Sequence, residues 1–252
     1  MRILTYNILD GGINRESLIL KILQATSPDI VMLQEVFGST PLADFAAQLN
    51  MRYFLARGNS RRHLALLSRF PIVEACAYRP FPPSSKSTLY VKLEYKPSRF
   101  IHTFGIHLFP HPFIAFELWR SWEKEIALRK AKSFVSEPCF LAGDFNATAP
   151  GDKPDTNSWP RLLNLMLVLQ GGRLFHFAIR DILSKGFVDC YRSMHPETPG
   201  YTVPTKLPTI RLDYIFANQI LYSGLTACDI VQNLPESHEA SDHYPLLAEF
   251  DI

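Results

Sequence analysis

The chain has 252 residues, enough for one large core or two small domains. With 47% apolar and 20% charged residues, its composition is that of a soluble globular protein and excludes disordered and fibrous classes. A formal net charge of +2 is too small to argue by itself for a nucleic-acid partner, although a local basic groove is compatible with it.

Hydrophobic periodicity places the elements in chain order. Arg2 to Tyr6 alternates as a strand. Glu16 to Ala25 is a helix with Leu18, Ile19, Ile22 and Leu23 on one face, stopped by Ser27-Pro28. Asp29 to Gln34 reads as a buried strand ending at Glu35, and Pro41 to Leu49 as a helix. Strands follow at Tyr53 to Ala56, Leu64 to Ser68, Ile72 to Tyr78, Thr88 to Tyr95 and Phe100 to Leu108, separated by turn residues as in a meander. A long helix is predicted over Ile114 to Val135, with Phe109, Phe113, Phe116, Trp119 and Trp122 spaced for core packing or, alternatively, for an exposed face that meets a membrane or stacks on bases. Then come a strand at Cys139 to Ala142 and helices at Trp159 to Gln170 and Phe175 to Leu183. The last third returns to strands at Gly186 to Cys190, Arg211 to Ala217, Ser223 to Val231 and Leu246 to Phe250.

Many mostly antiparallel strands with helices between them predict two packed sheets covered by helices. There is no low-complexity linker and no fixed-period repeat, so residues 1–252 are expected to form one domain. Cys76, Cys139, Cys190 and Cys228 lack paired metal spacing and read as reduced thiols. The N-terminus enters a strand directly, without the pattern of a signal peptide. The most apolar window, residues 162–169, falls far short of the ~20 residues of a membrane span. A soluble, cytoplasmic protein without stable membrane insertion is the expectation.

Polar residues stand where buried strands end. The first strand closes "TYN" at Asn7 and the next "VMLQE" at Glu35; "FGIHL" carries His107. "FLAGDFNATAP" sends Asp144 and Asn146 out of an apolar strand, and side chains two apart on extended backbone face one way. "RLDYIF" sets Asp213 inside an apolar run, and "SDHYPLL" sets Asp242 and His243 before the last strand. Any one of these is also a turn or capping residue. Burying an unpaired carboxylate costs several kcal/mol, however, so such groups need a metal, a partner or hydrogen bonds.

The segments TYNIL, LQEV, ALLSRFPI, GIHL, LAGDFNA, RLDYIF and SDHYPLL resemble, in the same order, the motifs of the endonuclease/exonuclease/phosphatase superfamily. That group includes AP endonucleases, pancreatic-type deoxyribonuclease and neutral sphingomyelinases. The resemblance runs from Asn7 to His243 and implies an α+β, four-layer αββα sandwich carrying a phosphoester hydrolysis site.

By that resemblance Glu35 is the principal ligand of a divalent metal, Mg²⁺ or Mn²⁺, with Asn7 beside it and Asp242 nearby. His243 and Asp213 form a His/Asp pair that fixes the imidazole tautomer. Asp144 orients or deprotonates water, Asn146 donates to the phosphorane, and His107 stands near the leaving oxygen. Whether Asp144 or His243 is the general base stays open. His102, in the strand of His107 but outside every motif, reads as a core histidine. Departures include Ile106 where the family often has Thr. Ala147-Thr148 follows the GDFN motif, and Arg211-Leu212-Asp213-Tyr214 replaces the Trp-Cys-Asp-Arg run of inositol 5-phosphatases. The implied substrate is a phosphodiester, with nucleic acid favoured over sphingomyelin-type lipid or phosphoinositide; a catalytically inactive binding module on the same scaffold is the third reading, disfavoured because every residue of the site is present. Arg57, Arg61, Arg62, Arg69 and Lys86 are candidates to track phosphates, Arg69 being the one taken as substrate-binding.

Overall fold

The structure is a computed structural model and describes residues 1–79, 84 and 86–252. Two six-stranded sheets face each other. The first contains β1 (Arg2–Asn7), β2 (Ile30–Val36), β3 (Arg52–Ala56), β4 (His63–Ser68), β11 (Leu225–Ile230) and β12 (Leu246–Phe250), in the order β11-β12-β1-β2-β4-β3. The second contains β5 (Ile72–Tyr78), β6 (Thr88–Lys96), β7 (Arg99–His107), β8 (Cys139–Asp144), β9 (Val188–Asp189) and β10 (Asp213–Ala217), in the order β5-β6-β7-β8-β10-β9. The sheets are mixed: β1 with β2 and β7 with β8 run parallel, and the other neighbours are antiparallel.

Alternation along each strand sends one set of side chains between the sheets and the other toward helices. Ile3, Met32, Leu66, Val91, Phe140 and Ile215 belong to the cluster between the sheets. On the outer face of the first sheet, Leu4, Tyr6 and Leu33 meet α1 (Glu16–Thr26) and α2 (Leu42–Leu49) through Ile19, Ile22 and Phe45. On the outer face of the second, Phe104, Leu141 and Phe216 meet α4 (Glu125–Ala131) and α6 (Phe177–Ser184) through Leu128, Ile179 and Ile182. Each such buried aliphatic side chain contributes roughly 1.5–3 kcal/mol. The layers are thus helix, sheet, sheet, helix, as the strand pattern predicts.

Three elements depart from the sequence reading, each where a charged residue is drawn inward. The helix expected over Ile114 to Val135 is two, α3 (Ile114–Glu123) and α4. The break falls at Lys124, which is buried and pairs with Asp181 of α6. The tail beyond α4 leaves the helix as Phe134 stacks on His102, centroids 3.6 Å apart. The strand expected at Gly186 to Cys190 shrinks to Val188–Asp189. There Asp189 accepts from Arg192 N and caps α7 (Cys190–Met194). The strand expected from Arg211 starts at Asp213, because Arg211 is buried in bonds to Asp152 and Asp189. Short helix α8 (Gln219–Tyr222) lies where no element was expected.

The inward face of α3 also differs. Glu117, Arg120 and Glu123, three apart, are its buried side chains, while the aromatic residues are half-buried and Trp119 is exposed. The charged stripe holds backbone. Arg120 Nη1 donates to the carbonyls of Phe109 (2.9 Å) and His111 (2.8 Å), and Glu123 Oε2 accepts from Phe109 N (2.8 Å). Glu117 accepts from Arg120 and from Ala178 N. This network fixes the loop that follows β7. All four cysteines are free thiols.

Candidate active site

Sheet register assembles the site. In the second sheet Asp144 lies opposite His107 of β7 on one side and opposite Asp213 of β10 on the other. The row of three therefore follows from strand pairing alone. Gly143 makes the close pairing possible: its φ is +149°, and a Cβ there would lie 1.8 Å from the Ile106 carbonyl oxygen. In the first sheet β1 ends at Asn7 and β2 at Glu35-Val36, side by side. β12 runs antiparallel to β1, which carries His243, just before it, to the same rim.

The two rims meet. Asn7 Nδ2 donates to Asp144 Oδ2 across 3.1 Å, and Asn7 Oδ1 accepts from Leu9 N. Nδ1 of His243 is 2.8 Å from Asp213 Oδ2, and its Nε2 is 3.9 Å from Asp144 Oδ2. Nε2 of His107 lies 3.7 Å from Asp144 Oδ2 and 3.8 Å from Glu35 Oε1. Asn146, with φ +48°, turns back so that its N and Nδ2 both donate to Asp144. Glu35 also has positive φ, +60°. Asp10, beside Glu35, has φ +46°, and three non-glycine residues in that region at one site mark backbone held for side-chain placement.

Asn7, Glu35, His107, Asp144, Asn146 and His243 line a cleft of about 370 Å³ together with Ser60, Arg61, Arg62 and Lys86. Asp213 stands behind His243, fully buried, and its Oδ1 has no hydrogen-bond partner among the described residues. Asp242 is half-buried and turned to Ser241 Oγ, near enough for its charge to act on His243 and Arg62 but not part of the cleft lining. Arg69 is not brought to the cleft. It follows Ser68, which pairs with Ile30 at the opposite end of β2 from Glu35, and its Nε donates to the Pro28 carbonyl. His102 lies in the core, against Phe134 and the Tyr90 hydroxyl, as expected.

Asp10 gains a place that the sequence pattern did not give it, and Lys86, a candidate to track phosphates, is found against His107. Arg62 Nε donates to Asp10 Oδ1 (3.0 Å) and forms an ion pair with Glu35 Oε2 (3.2 Å), and Asp10 N donates to Glu35 Oε2. Asp10-Gly11-Gly12 has the composition of a turn and forms one turn of 3-10 helix; that Asp10 leaves β1 beside Asn7 was the available signal. Lys86 Nζ lies 3.0 Å from His107 Nε2 and 3.2 Å from its Nδ1.

Burial and charge then set protonation. Burial pushes Asp144 up, to about 7, and neighbouring Asp213 pushes the same way against the His243 charge. Burial opposes a charged His243, but the carboxylate of Asp213, by charge and hydrogen bond, outweighs it and holds the imidazolium up to about 10. Burial, then the Lys86 and His243 charges, hold His107 well below its ordinary value, so it is a neutral imidazole at neutral pH.

The donors suit a hard cation with few protein ligands. No group of three or more acidic, histidine or cysteine side chains forms a closed metal cage among the described residues. The cleft offers the Glu35 carboxylate and the Asn7 amide oxygen, with Asp10 adjacent, all oxygen donors. Mg²⁺, which keeps several waters and takes one or two carboxylates, fits such a set.

A second cavity, about 350 Å³, adjoins the cleft, sharing Pro110 and Asn146. Phe113, Trp159, Leu163, Phe175, Leu207 and Leu212 make it apolar. Leu163 belongs to α5 (Arg161–Leu169).

The profile of the Endonuclease/Exonuclease/phosphatase family matches residues 4–243. No curated protein matches the sequence. Among solved structures, an AP endonuclease from Archaeoglobus fulgidus superposes with a TM-score of 0.78 at 21% identity, covering 100% of both chains. The 3′ phosphatase NExo from Neisseria, bound to a product DNA hairpin, gives 0.76 at 18%, also covering 100% of both. A humanised D. rerio TDP2 gives 0.70 at 14%, covering 100% of this chain and 99% of that one. At these identities the similarity concerns the fold.

Proposed function

The chain belongs to the Endonuclease/Exonuclease/phosphatase family, and from that premise we propose that it is a divalent-metal-dependent phosphodiesterase, with nucleic acid as its first candidate substrate. One observation carries the reading: the row His107, Asp144, Asp213 on one sheet faces Asn7, Glu35 and His243 on the other, joined by the Asn7–Asp144 hydrogen bond.

Each side chain then has a task. Asp144, whose proton affinity burial raises toward neutrality, receives a proton from water as the water attacks phosphorus. His243, kept cationic by Asp213, donates from Nε2 to a phosphoryl oxygen, so the general base is Asp144. Asn7 and Asn146 hold the Asp144 carboxylate in one orientation. Lys86 and Arg62 supply positive charge to the phosphate, and His107 stands between Lys86 and Asp144 on the leaving-group side. Glu35, with Asn7 and Asp10, would hold Mg²⁺, which when bound stabilises negative charge on the phosphoryl and leaving oxygens.

Nucleic acid is supported by Arg61, Arg62 and Lys86 along the cleft, and by the DNA hairpin bound to the Neisseria protein of the same fold. A lipid phosphodiester is the second reading, and the apolar cavity beside Asn146 favours it. The four free thiols fit a reducing, cytoplasmic setting. The test is hydrolysis by purified protein, with Mg²⁺, Mn²⁺ or EDTA, of abasic duplex, single- and double-stranded DNA, RNA, sphingomyelin and inositol phosphates. Metal-dependent cleavage of a polynucleotide is the expected result; turnover confined to lipid or inositol compounds overturns the nuclease reading, and no turnover anywhere overturns the enzyme.

A further inference from the structure

Helix α5, of sequence RLLNLMLVL, has no buried residue. Leu162, Leu165, Val168 and Leu169 are each more than half exposed, and their spacing puts them on one side of the helix. Leu163 faces elsewhere, into the apolar cavity beside the catalytic cleft. A helix that is apolar around most of its circumference is normally covered, and an exposed patch of this kind marks an interaction surface. The patch does not stop at α5. Leu207, also more than half exposed, lines the same cavity. The first turn of α3 is tied to the end of α5 by Gln170, which bonds Ile114 N and the Pro112 carbonyl, and Leu118 and Trp119 of α3 are exposed one turn on.

Positive charge predominates in the segments that carry this face. Arg161 and Lys206, next in sequence to Leu162 and Leu207, are exposed, as is Arg173 just beyond α5. Of the acids nearby in sequence, Asp152 is paired with Arg192 and Arg211, which leaves Asp155, bonded to Asn157 N and the Ser158 hydroxyl, as a single negative charge. A second copy packed on this face by two-fold symmetry would bring like charges toward each other. A surface of anionic headgroups over hydrocarbon complements both features at once.

We propose that α5 and Leu207 form a docking face for an anionic lipid bilayer, on which the protein lies without crossing it. No helix among the described residues is long and apolar enough to span a membrane. The apolar cavity then opens at the bilayer, and the catalytic cleft, which shares Pro110 and Asn146 with it, sits at headgroup level. Docking does not depend on the phosphodiesterase reading, and the two are measured separately.

The experiment is co-sedimentation of the full chain with vesicles of phosphatidylcholine alone or mixed with phosphatidylglycerol, at low and high salt. Hydrolysis of soluble bis(p-nitrophenyl) phosphate is followed in parallel. Wild type is expected to pellet with the anionic vesicles and to be released by salt. The Leu165→Asp/Val168→Asp variant, altered only at exposed positions, is expected to bind ~tenfold more weakly or less with unchanged circular dichroism and unchanged hydrolysis. Wild type left in the supernatant overturns the proposal, as does a variant that binds like wild type. A wild-type dimer in sedimentation equilibrium that the variant abolishes would assign the face to a second copy and also overturn it.

Discussion

Asn7, at the end of β1 in one sheet, donates from Nδ2 to Oδ2 of Asp144, at the end of β8 in the other, 3.1 Å away. This bond ties the two rims at the point where the chemistry is placed. Replacing Asn7 by Ala leaves Asp144 without that donor and Leu9 N without its acceptor. Such losses cost roughly 1–3 kcal/mol of stability and, for a residue that orients a reacting group, about 10–100-fold in activity. Urea unfolding and kcat for bis(p-nitrophenyl) phosphate check both. A variant with wild-type kcat would remove Asn7 from the positioning of Asp144.

The Asp213–His243 pair gives a protonation prediction. With Asp213 in place the imidazolium persists through neutrality, to about pH 10. In Asp213→Asn the dominant favourable charge is gone while burial remains, so His243 becomes neutral at neutral pH. Nitrogen chemical shifts of the metal-free protein should show a protonated ring in wild type and a neutral one in the variant, with activity lower by about 10²–10⁴-fold. Wild-type His243 titrating near its ordinary value would contradict the assignment of roles.

Stability should respond to pH through the core imidazole. Burial lowers the pKa of His102, with Glu137 partly opposing. A group with a depressed folded pKa binds fewer protons in the native state. Its contribution is present above the unfolded value, roughly 6.5, and is lost as pH falls from there through the folded value. Between about pH 7.5 and about pH 5.5 the urea midpoint of wild type should therefore fall relative to that of His102→Phe, whatever the raised Asp144 and His243 add in both proteins. The same pH dependence in both proteins would place the effect elsewhere.

Gly143 is expected to tolerate no side chain. Alanine there combines φ +149° with a Cβ 1.8 Å from Ile106 O, so β7 and β8 must separate. Because His107 and Asp144 are the next residues along those strands, the site loosens with them. A loss of ~3 kcal/mol or more is expected, and a variant within about 0.5 kcal/mol of wild type would show that the pairing is less tight.

The charged inner stripe of α3 is a positioning device for the loop after His107. Arg120→Met breaks two carbonyl bonds and strands the buried Glu117, at a cost of about 3–5 kcal/mol. Adding Glu117→Gln removes the unpaired charge yet keeps an acceptor for Ala178 N, and should recover much of the loss. Chemical denaturation of the single and double variants separates the buried charge from the lost loop contacts; no recovery would show that Glu117 is not left charged.

Where the sequence was legible and where it was not has a physical pattern. Asp144 and Asp213 stand out because a carboxylate inside an apolar strand demands an explanation, and strand ends are local features. Asp10 does not, since Asp before two glycines satisfies the rules of a turn, and only three-dimensional closure shows that it meets Glu35. Arg62 and Arg69 look alike as loop arginines. Hairpin direction decides that Arg62 reaches Glu35 while Arg69 caps the far end of β4. On α3 the usual inference, aromatic inward and charged outward, reverses because Glu117 and Arg120 pair with each other, and all three of Glu117, Arg120 and Glu123 bond nearby backbone. On α5 apolar spacing implies burial that the fold does not supply.

The claim that these scattered residues act together is tested most directly by single-turnover hydrolysis of bis(p-nitrophenyl) phosphate with saturating Mg²⁺. Wild type and Asp144→Asn are compared after circular dichroism shows both folded. Metal-dependent turnover in wild type, abolished by EDTA, is expected, with a rate about 10²–10⁴-fold lower in the variant. Equal rates in the two proteins, or turnover indifferent to EDTA, would contradict that claim.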